Sequence, residues 1–187
     1  MLNWDALEKR CLKCYKCGLS HTRNNVVFGV GKKDADIVFV GEGPGEQEDR
    51  QGEPFVGAAG HLLDDMMSII DLNRSNSYIC NIVKCRPPQN RDPSEDEQDA
   101  CIDYLFDQLQ LIQPKIIVCL GRVAAKRLIY PHYRISSEHG TWFCRDGIWL
   151  TSLYHPSALL RDPSKRPDTF DDLLSIRKKL REVHAEL

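Results

Sequence analysis

The chain has 187 residues, of which 42% are hydrophobic and 28% charged, and its formal net charge at pH 7 is -2. This composition predicts one globular domain, residues 1–187, with a sizeable core, and it excludes a disordered or fibrous chain. No apolar run is long enough to cross a membrane and no apolar signal stretch opens the chain, so we expect a cytoplasmic protein without membrane attachment. The near-neutral charge argues against binding nucleic acid through bulk charge, but it leaves room for a local basic face.

Eight cysteines are unusual in a chain expected to stay in a reducing compartment, where clustered thiols hold metals more often than they form disulfides. A short amphipathic helix is predicted to begin at Trp4 and to run into Cys11-x-x-Cys14-x-x-Cys17. Three thiols at this spacing can converge on one metal, and two are enough to begin a zinc or an iron-sulfur site. One of the three is therefore predicted to be a spare.

The first core strand is predicted at residues 36–40, a short apolar run that ends in a turn-forming segment rich in glycine and acid. This acidic loop, residues 41–49, contains Glu42, Glu46, Glu48 and Asp49. Its acidity, the missing Lys-Ser/Thr ending and the missing third glycine argue against a phosphate-binding loop. Two interpretations remain: a solvated acidic surface loop, or a ligand-binding loop whose glycines let backbone N–H groups come close to a ligand.

Two further units of strand and helix follow the acidic loop. Residues 61–70 have the apolar spacing of an amphipathic helix, and residues 78–83 form the second predicted strand. A proline-rigidified basic loop, residues 84–93, leads to a helix that is predicted to start with Asp92 as its cap and to end near Gln113. Residues 115–120 form the third predicted strand.

The last part of the chain contains a predicted short helix at residues 123–129 and a hairpin around Asp146-Gly147. The hairpin joins residues 141–144 to the fourth core strand, residues 148–153. Four strands separated by helices predict an α/β fold with a mostly parallel four-stranded sheet and helices on both faces. Because right-handed crossovers bring the carboxyl ends of the strands to one edge, the loops that follow them should border one cleft.

The predicted cleft combines an aromatic plate, Phe55, with an amide, Asn81, and a histidine, His155. This set suits a flat heterocycle with alternating donors and acceptors, and uracil has such an edge. The amide can pair with O4 and N3–H of uracil while the ring stacks on the base and the histidine faces O2. A basic rim would contact phosphates without reading sequence; it comprises Arg86, Arg91, Arg161, Lys165 and Arg166.

Several spaced motifs, taken in order, resemble those of the family 4 uracil-DNA glycosylases, the iron-sulfur branch of that superfamily. They are Gly41-Glu42-Gly43-Pro44-Gly45-x-x-Glu48-Asp49, Pro54-Phe55-Val56-Gly57, Asn81-x-x-x-Cys85-Arg86-Pro87-Pro88-x-Asn90-Arg91 and His155-Pro156-Ser157. The resemblance covers nearly the whole chain, and ordered motifs are far more specific than any single one. It implies a three-layer α/β/α sandwich, a 4Fe-4S cluster, and excision of uracil from single- and double-stranded DNA in base-excision repair.

The resemblance also implies a cluster ligand set of Cys14, Cys17, Cys85 and Cys101, with Cys11 as the spare thiol. Cys80 and Cys119 lie within apolar strands and are predicted to be small core residues. The five histidines outside the motifs are predicted to be surface or structural residues: His21, His61, His132, His139 and His184.

The catalytic residues implied by the resemblance are Glu42, which would hold the attacking water because Gly43 stands where the best-known family has an aspartate, and His155. The resemblance implies that the substrate is contacted by Gly43, Glu48, Phe55 and Asn81, and that Glu48 excludes thymine. It implies DNA contacts by Arg86, Arg91, Ser157 and Arg161. Ala158 and Leu159 would press toward the gap left by the flipped base. The sequence lacks the insertion with which a related branch traps the abasic sugar, so product release is expected.

The expected protein partner is a sliding clamp or a repair polymerase, and the expected state is a monomer. A competing interpretation is a non-catalytic DNA-binding or redox-sensing module in which the cluster, or a zinc ion in the same four-cysteine site, is the working part.

Overall fold

A computed structural model describes residues 1–185 and contains a six-stranded, mostly parallel sheet flanked by helices. Its strands in chain order are β1 (Val30–Gly31), β2 (Ile37–Gly41), β3 (Tyr78–Asn81), β4 (Ile116–Leu120), β5 (Phe143–Arg145) and β6 (Ile148–Leu153). Their spatial order is β1-β3-β2-β4-β6-β5. The four central strands run parallel, and the edge strands β1 and β5 pair antiparallel with their neighbours. The predicted α/β class and the four core strands are confirmed, but the sheet has six strands rather than the predicted four, because the short edge strands β1 and β5 join it.

Eight helices connect or cover these strands in the described part of the chain. They are α1 (Trp4–Leu12), α2 (Glu46–Gln51), α3 (Ala58–Ile69), α4 (Glu95–Ile112), α5 (Arg122–Leu128), α6 (Ile135–Glu138), α7 (Pro156–Arg161) and α8 (Arg166–Ala185). Short 3-10 turns occupy Gly18–His21, Pro88–Asn90 and Pro163–Lys165. Within residues 1–185, no helix combines the length and the apolar character that a bilayer crossing requires.

Alternate residues of the buried strands point to opposite faces of the sheet, so each face carries its own core. On β2, Val38 and Val40 pack toward α1, α4 and α5, whereas Ile37 and Phe39 pack toward α3, α7 and α8. Both core faces are nearly closed to solvent, which explains why the central strands read as continuous apolar runs rather than as alternating ones. The predicted three-layer arrangement follows from these two cores.

The order of the parallel strands places a crevice at the carboxyl edge of the sheet. The chain passes from β2 to β3 on one side and then crosses to β4 on the other side of β2. The helices therefore diverge to opposite faces between β2 and β4, and open sheets of this kind bind ligands at that point. The loops after β2, β3 and β6 all reach this edge.

Three local predictions are corrected by the structure. Part of the acidic loop is helical: α2 has Gly45 as its N-cap and Gly52, whose φ is 76°, as its C-cap. Helix α4 begins two residues later than predicted: its N-cap is Ser94, and Ser94 and Glu97 form a capping box, so Asp92 lies outside the helix. The segment after His155 is the helix α7 rather than a loop.

Candidate functional site

A cavity of about 340 Å³ opens at the carboxyl edge of the sheet. All but one of the predicted catalytic, substrate-contacting and DNA-contacting residues line it: Glu42, Gly43, Glu48, Phe55, Asn81, Arg91, His155, Ser157 and Arg161. Arg86 is outside this lining and reaches it only through Asn90, whose Oδ1 accepts from Arg86 Nε at 2.8 Å. The volume suits a nucleobase-sized ligand.

Phe55 forms one wall of the cavity in an unusual backbone conformation. Its φ is 53°, in the left-handed region, which costs about 1–3 kcal/mol for a residue other than glycine. Arg74 holds this conformation: Nη1 donates to Pro54 O at 2.8 Å, Nη2 donates to Phe55 O, and Nε donates to Asp64 Oδ1 at 3.0 Å. Gly60 of α3 lies directly against the Phe55 carbonyl, where any Cβ would clash.

Asn81 ends β3 and presents a buried amide that has no protein partner for its oxygen. The residue is 2% exposed, and Oδ1 is one of only two buried side-chain polar atoms without a hydrogen bond among residues 1–185. Strand pairing sets Gly41 beside Asn81, and a Cβ at Gly41 would lie 2.5 Å from Asn81 Oδ1 and 2.7 Å from Phe55 Cζ. A buried unpaired acceptor is destabilising unless a ligand satisfies it.

His155 follows β6 and faces Phe55 at 5.7 Å between ring centroids, with the planes tilted by 30°. Burial, and secondly the charge of Arg161, lower the pKa of His155 to about 4, so the ring is neutral at physiological pH. Nδ1 accepts from the Ser157 N–H at 3.1 Å and lies 2.7 Å from Ser157 Oγ. Since a backbone N–H can only donate, the ring proton must reside on Nε2.

The four carboxylates of the acidic loop have different roles. Asp49 is buried and structural, accepting from Asn24 N at 2.8 Å and from Asn25 N at 3.2 Å. Glu46 pairs with Arg50 on the surface of α2 at 2.7 Å. The interpretation of a wholly solvated loop is therefore wrong.

Glu42 and Glu48 line the cavity instead. Burial and the nearby Asp92 raise the pKa of Glu42, while the charges of Arg122 and Arg161 oppose that rise. Glu48 Oε1 accepts from the Gly57 N–H at 3.4 Å, which holds its carboxylate against the start of α3. Glu42 is thus the carboxylate surrounded by charges of both signs, and Glu48 is the one fixed by the backbone.

The arginines at the rim of the cavity differ in whether a carboxylate pairs with them. Arg91 makes a two-pronged ion pair with Glu97, at 2.7 and 2.9 Å. Arg161 at the end of α7 has no ion pair within residues 1–185.

Leu159, expected to press toward DNA, is 1% exposed in the core, whereas Leu160 is 43% exposed. The sequence-based choice of Leu159 is therefore wrong, because its side chain is buried, and Leu160 is the exposed leucine of α7.

A second, smaller cavity is lined by five thiols, those of Cys11, Cys14, Cys17, Cys85 and Cys101. No three His, Cys, Asp or Glu side chains in the described part of the chain surround a single metal ion. Zinc would need its sulfurs at about 2.3 Å from one point, whereas each thiolate of a 4Fe-4S cluster binds a different iron and the donors stand farther apart. The thiol-only donor set is of the chemical kind that binds an iron-sulfur cluster.

Donors already surround these sulfurs. Cys85 Sγ lies 3.4 Å from Arg23 Nη1, Cys101 Sγ accepts from the Lys84 N–H at 3.3 Å, and Cys14 Sγ accepts from the Lys16 N–H at 3.5 Å. Such N–H···S contacts are a usual feature of iron-sulfur sites.

The remaining cysteines and histidines lie away from both cavities. Cys80 and Cys119 are buried in the core as predicted, and Cys144 is exposed. His139 Nδ1 contacts Asp172 Oδ2 at 2.7 Å, and His184 Nε2 contacts Asp36 Oδ2 at 2.9 Å. Both histidines are structural, as the sequence indicated.

Sequence reasoning missed Arg74 and Gly60, which support Phe55 from behind. Neither lies in a motif with a chemical signature. The only available signal was Gly60 inside an amphipathic helix pattern, where glycine is unfavourable and can indicate close packing.

Comparison with known proteins agrees with this geometry. The family model described as the uracil DNA glycosylase superfamily matches residues 28–181. The type-4 uracil-DNA glycosylase of Archaeoglobus fulgidus is 43% identical over 184 residues, covering 94% of this chain and 92% of the relative. That of Sulfurisphaera tokodaii is 43% identical over 186 residues, with 93% and 84% coverage, and that of Thermotoga maritima is 43% identical over 164 residues, with 86% and 84% coverage. The chain therefore belongs to the uracil DNA glycosylase superfamily and, within it, to the type-4 uracil-DNA glycosylases, which excise uracil from DNA in repair.

Proposed function

We propose that a deoxyuridine flipped out of DNA enters the 340 Å³ cavity and that its uracil is read by Asn81 and stacked on Phe55. The observation that carries this proposal is the buried, unpaired Oδ1 of Asn81 beside an aromatic wall. Uracil N3–H would satisfy that oxygen, and the amide N–H₂ would donate to O4. Unpaired or mispaired uracil should enter most readily because less stacking and pairing is lost.

His155 is proposed to stabilise the charge that develops on the departing base. As the N-glycosidic bond breaks, negative charge gathers on uracil O2 while the sugar becomes oxocarbenium-like. The neutral ring with its proton on Nε2 can donate to O2, and the donation strengthens as the charge grows. Its Nδ1 bonds to Ser157 fix the orientation of the ring.

Glu42 and Glu48 are proposed to take the two remaining tasks. Glu42 would hold the water that attacks the sugar, since it lies in the cavity near both Arg161 and Asp92. Glu48 would crowd the C5 face of the base and exclude thymine, and Gly43 would let the backbone approach the base. The abasic product would then leave without a covalent trap.

The second cavity is proposed to hold a 4Fe-4S cluster on Cys14, Cys17, Cys85 and Cys101, with Cys11 as a spare thiol. When bound, the cluster would supply cross-links and a fixed local charge rather than a step of hydrolysis. Cys85 lies four residues after Asn81, so the ligands would anchor the segment that follows the uracil reader. This arrangement supports a mainly structural role for the cluster.

Replacing Cys85 with alanine should remove the cluster and lower stability as well as activity, because one iron would lose its thiolate. Iron content and visible absorbance of purified protein check this. Cys11→Ala is the matched control: Cys11 lies in the same cavity and is 0% exposed, but it should leave iron content and colour unchanged. Full iron in the Cys85 variant would remove Cys85 from the ligand set.

The DNA backbone is proposed to lie across Arg161, Ser157, Arg86 and Arg91, with Leu160 filling the gap left by the flipped base. An exposed apolar side chain beside the cavity can replace part of the stacking that the base loses. The arginines would position DNA without reading its sequence.

Substituting Arg161 with alanine should weaken binding of uracil-free duplex and reduce the salt dependence of the binding constant by about one unit of slope. Arg91→Ala should have a smaller effect, because Glu97 already neutralises much of the Arg91 charge. Titrations at several salt concentrations measure both slopes. Equal losses for the two variants would contradict this ranking.

The direct test is release of uracil from single- and double-stranded oligonucleotides under single-turnover conditions. We expect release from both, and oligonucleotides with cytosine or thymine at the same position serve as controls. Binding without release would favour the alternative of a non-catalytic module.

The same proposal treats residues 1–187 as one domain acting as a monomer in the cytoplasm, with a sliding clamp or a repair polymerase as its protein partner.

A further inference from the structure

Lys84 is a buried cation with no carboxylate partner among residues 1–185. It lies three residues after the end of β3 and is 1% exposed. Its Nζ donates to Gln108 Oε1 at 2.7 Å, and no described carboxylate lies within the 4.0 Å of an ion pair. Burying an ammonium away from an anion is unfavourable by several kcal/mol even after relaxation. An anion is therefore expected close to this side chain.

Gln108 orients the ammonium but cannot neutralise it. Its Nε2 donates to Phe28 O at 2.9 Å and contacts Tyr78 OH at 3.0 Å. Because a carbonyl oxygen can only accept, Nε2 must face Phe28 and Oε1 must face Lys84. The amide is itself 0% exposed. Gln108 is therefore a fixed and uncharged hydrogen-bond partner of the positively charged Lys84 side chain.

Lys84 also borders the thiol cavity. Lys84 lines it together with the proposed ligands, and the Lys84 backbone N–H donates to Cys101 Sγ at 3.3 Å. Four thiolates outweigh the positive charge of an iron-sulfur core, so an occupied cluster would be an anion. Arg23 approaches the same group at Cys85 from a partly exposed position, so among residues 1–185 the fully buried cation is Lys84.

We propose that Lys84 is the buried counter-charge of the iron-sulfur cluster and that it raises the cluster's reduction potential. This inference rests on the proposed cluster and deepens it. One-electron reduction adds a negative charge, so a nearby fixed cation stabilises the reduced form more than the oxidised form. Lys84 would also favour retention of iron, because the assembled anion offsets a charge that the fold otherwise leaves buried alone.

The test compares three variants with the wild-type holoenzyme: Lys84→Met, which keeps length without charge, Lys84→Arg, which keeps charge, and Lys126→Met, a loss of charge on the exposed face of α5. Voltammetry, with the electrode supplying the electron, measures the midpoint potential. For Lys84→Met we expect about a tenfold lower ratio of reduced to oxidised cluster at a fixed potential, a midpoint about 59 mV lower for one electron. The other two variants should match the wild type.

Each remaining outcome decides the matter. Iron-free wild-type protein after anaerobic reconstitution would overturn the cluster itself. Iron-loaded wild type with an unchanged midpoint in Lys84→Met would overturn only the role of Lys84. If the methionine variant loses its iron while the arginine variant keeps it, the charge is required and the proposal is supported. If both lose iron alike, side-chain shape and not charge is what matters, and the proposal fails.

Discussion

Asn81→Asp should lower the rate of uracil release by about 10⁴-fold. A site built to hydrogen-bond a polar edge loses activity by about that factor when one of the hydrogen bonds cannot form. The ionised carboxylate keeps acceptors for N3–H but has no donor for O4, and it places a negative charge beside a base that is becoming an anion. Cytosine presents an amine donor in place of O4, so weak cytosine release is the expected gain. Single-turnover release of both bases measures the two effects.

Asn90→Asp is the matched control for this change. It introduces the same charge into the same cavity, but the Asn90 side chain already accepts from Arg86 at 2.8 Å. Uracil release should fall far less in this variant. Unaltered uracil release by Asn81→Asp would remove the amide from the site and leave the cavity without a reader of the base edge.

His155→Ala should lower the rate of uracil release by about 10²- to 10³-fold, the usual loss when one donor to a developing anion is removed. The loss should fall on the chemical step more than on binding, since the donor gains strength only as charge reaches O2. His61→Ala, an exposed histidine on α3, should leave the rate unchanged. A drop confined to DNA affinity would contradict the assignment.

The same residue should leave a signature in the pH dependence of folding. His155 in the unfolded chain takes up a proton near pH 6.5, but in the native protein only near pH 4. The unfolded state binds more protons in that interval, so the free energy of unfolding that this group contributes is complete above pH 6.5 and declines as the pH falls toward 4. The full difference is about 3 kcal/mol. Urea titrations of His155→Ala should show a correspondingly flatter profile between these values.

Most of the sheet could be predicted from the sequence, because each central strand is a continuous apolar run, the pattern of strands buried on both faces. Most residues of the candidate site could also be predicted, since residues that follow parallel strands must meet at one edge of the sheet. Helix α2 was missed, although five of its six residues between Gly45 and Gly52 are good helix formers, Asp49 being the exception. Six residues are too few for a periodic pattern, and their charge favoured the interpretation of a loop.

The supports behind the site could not be read from local sequence. Arg74 reaches Phe55 and Asp64, and Gln108 reaches Lys84 and Phe28, across separations of 10 to 80 residues. Only the folded backbone decides that such groups meet. The exposure of Leu160 and burial of Leu159 depend likewise on how α7 turns against the core, a rotation that two adjacent leucines do not specify.

The wall built from Phe55, Gly41 and Gly60 also limits how this enzyme can evolve. Any side chain at either glycine would strike the Asn81 oxygen, the phenyl ring or the Phe55 carbonyl, and the backbone at Phe55 keeps its left-handed form through Arg74. A single substitution at any of these positions therefore damages the pocket before a second can compensate. Drift toward a new base should begin instead at Glu48, whose side chain lines the cavity and holds the backbone through one long bond, from the Gly57 N–H at 3.4 Å.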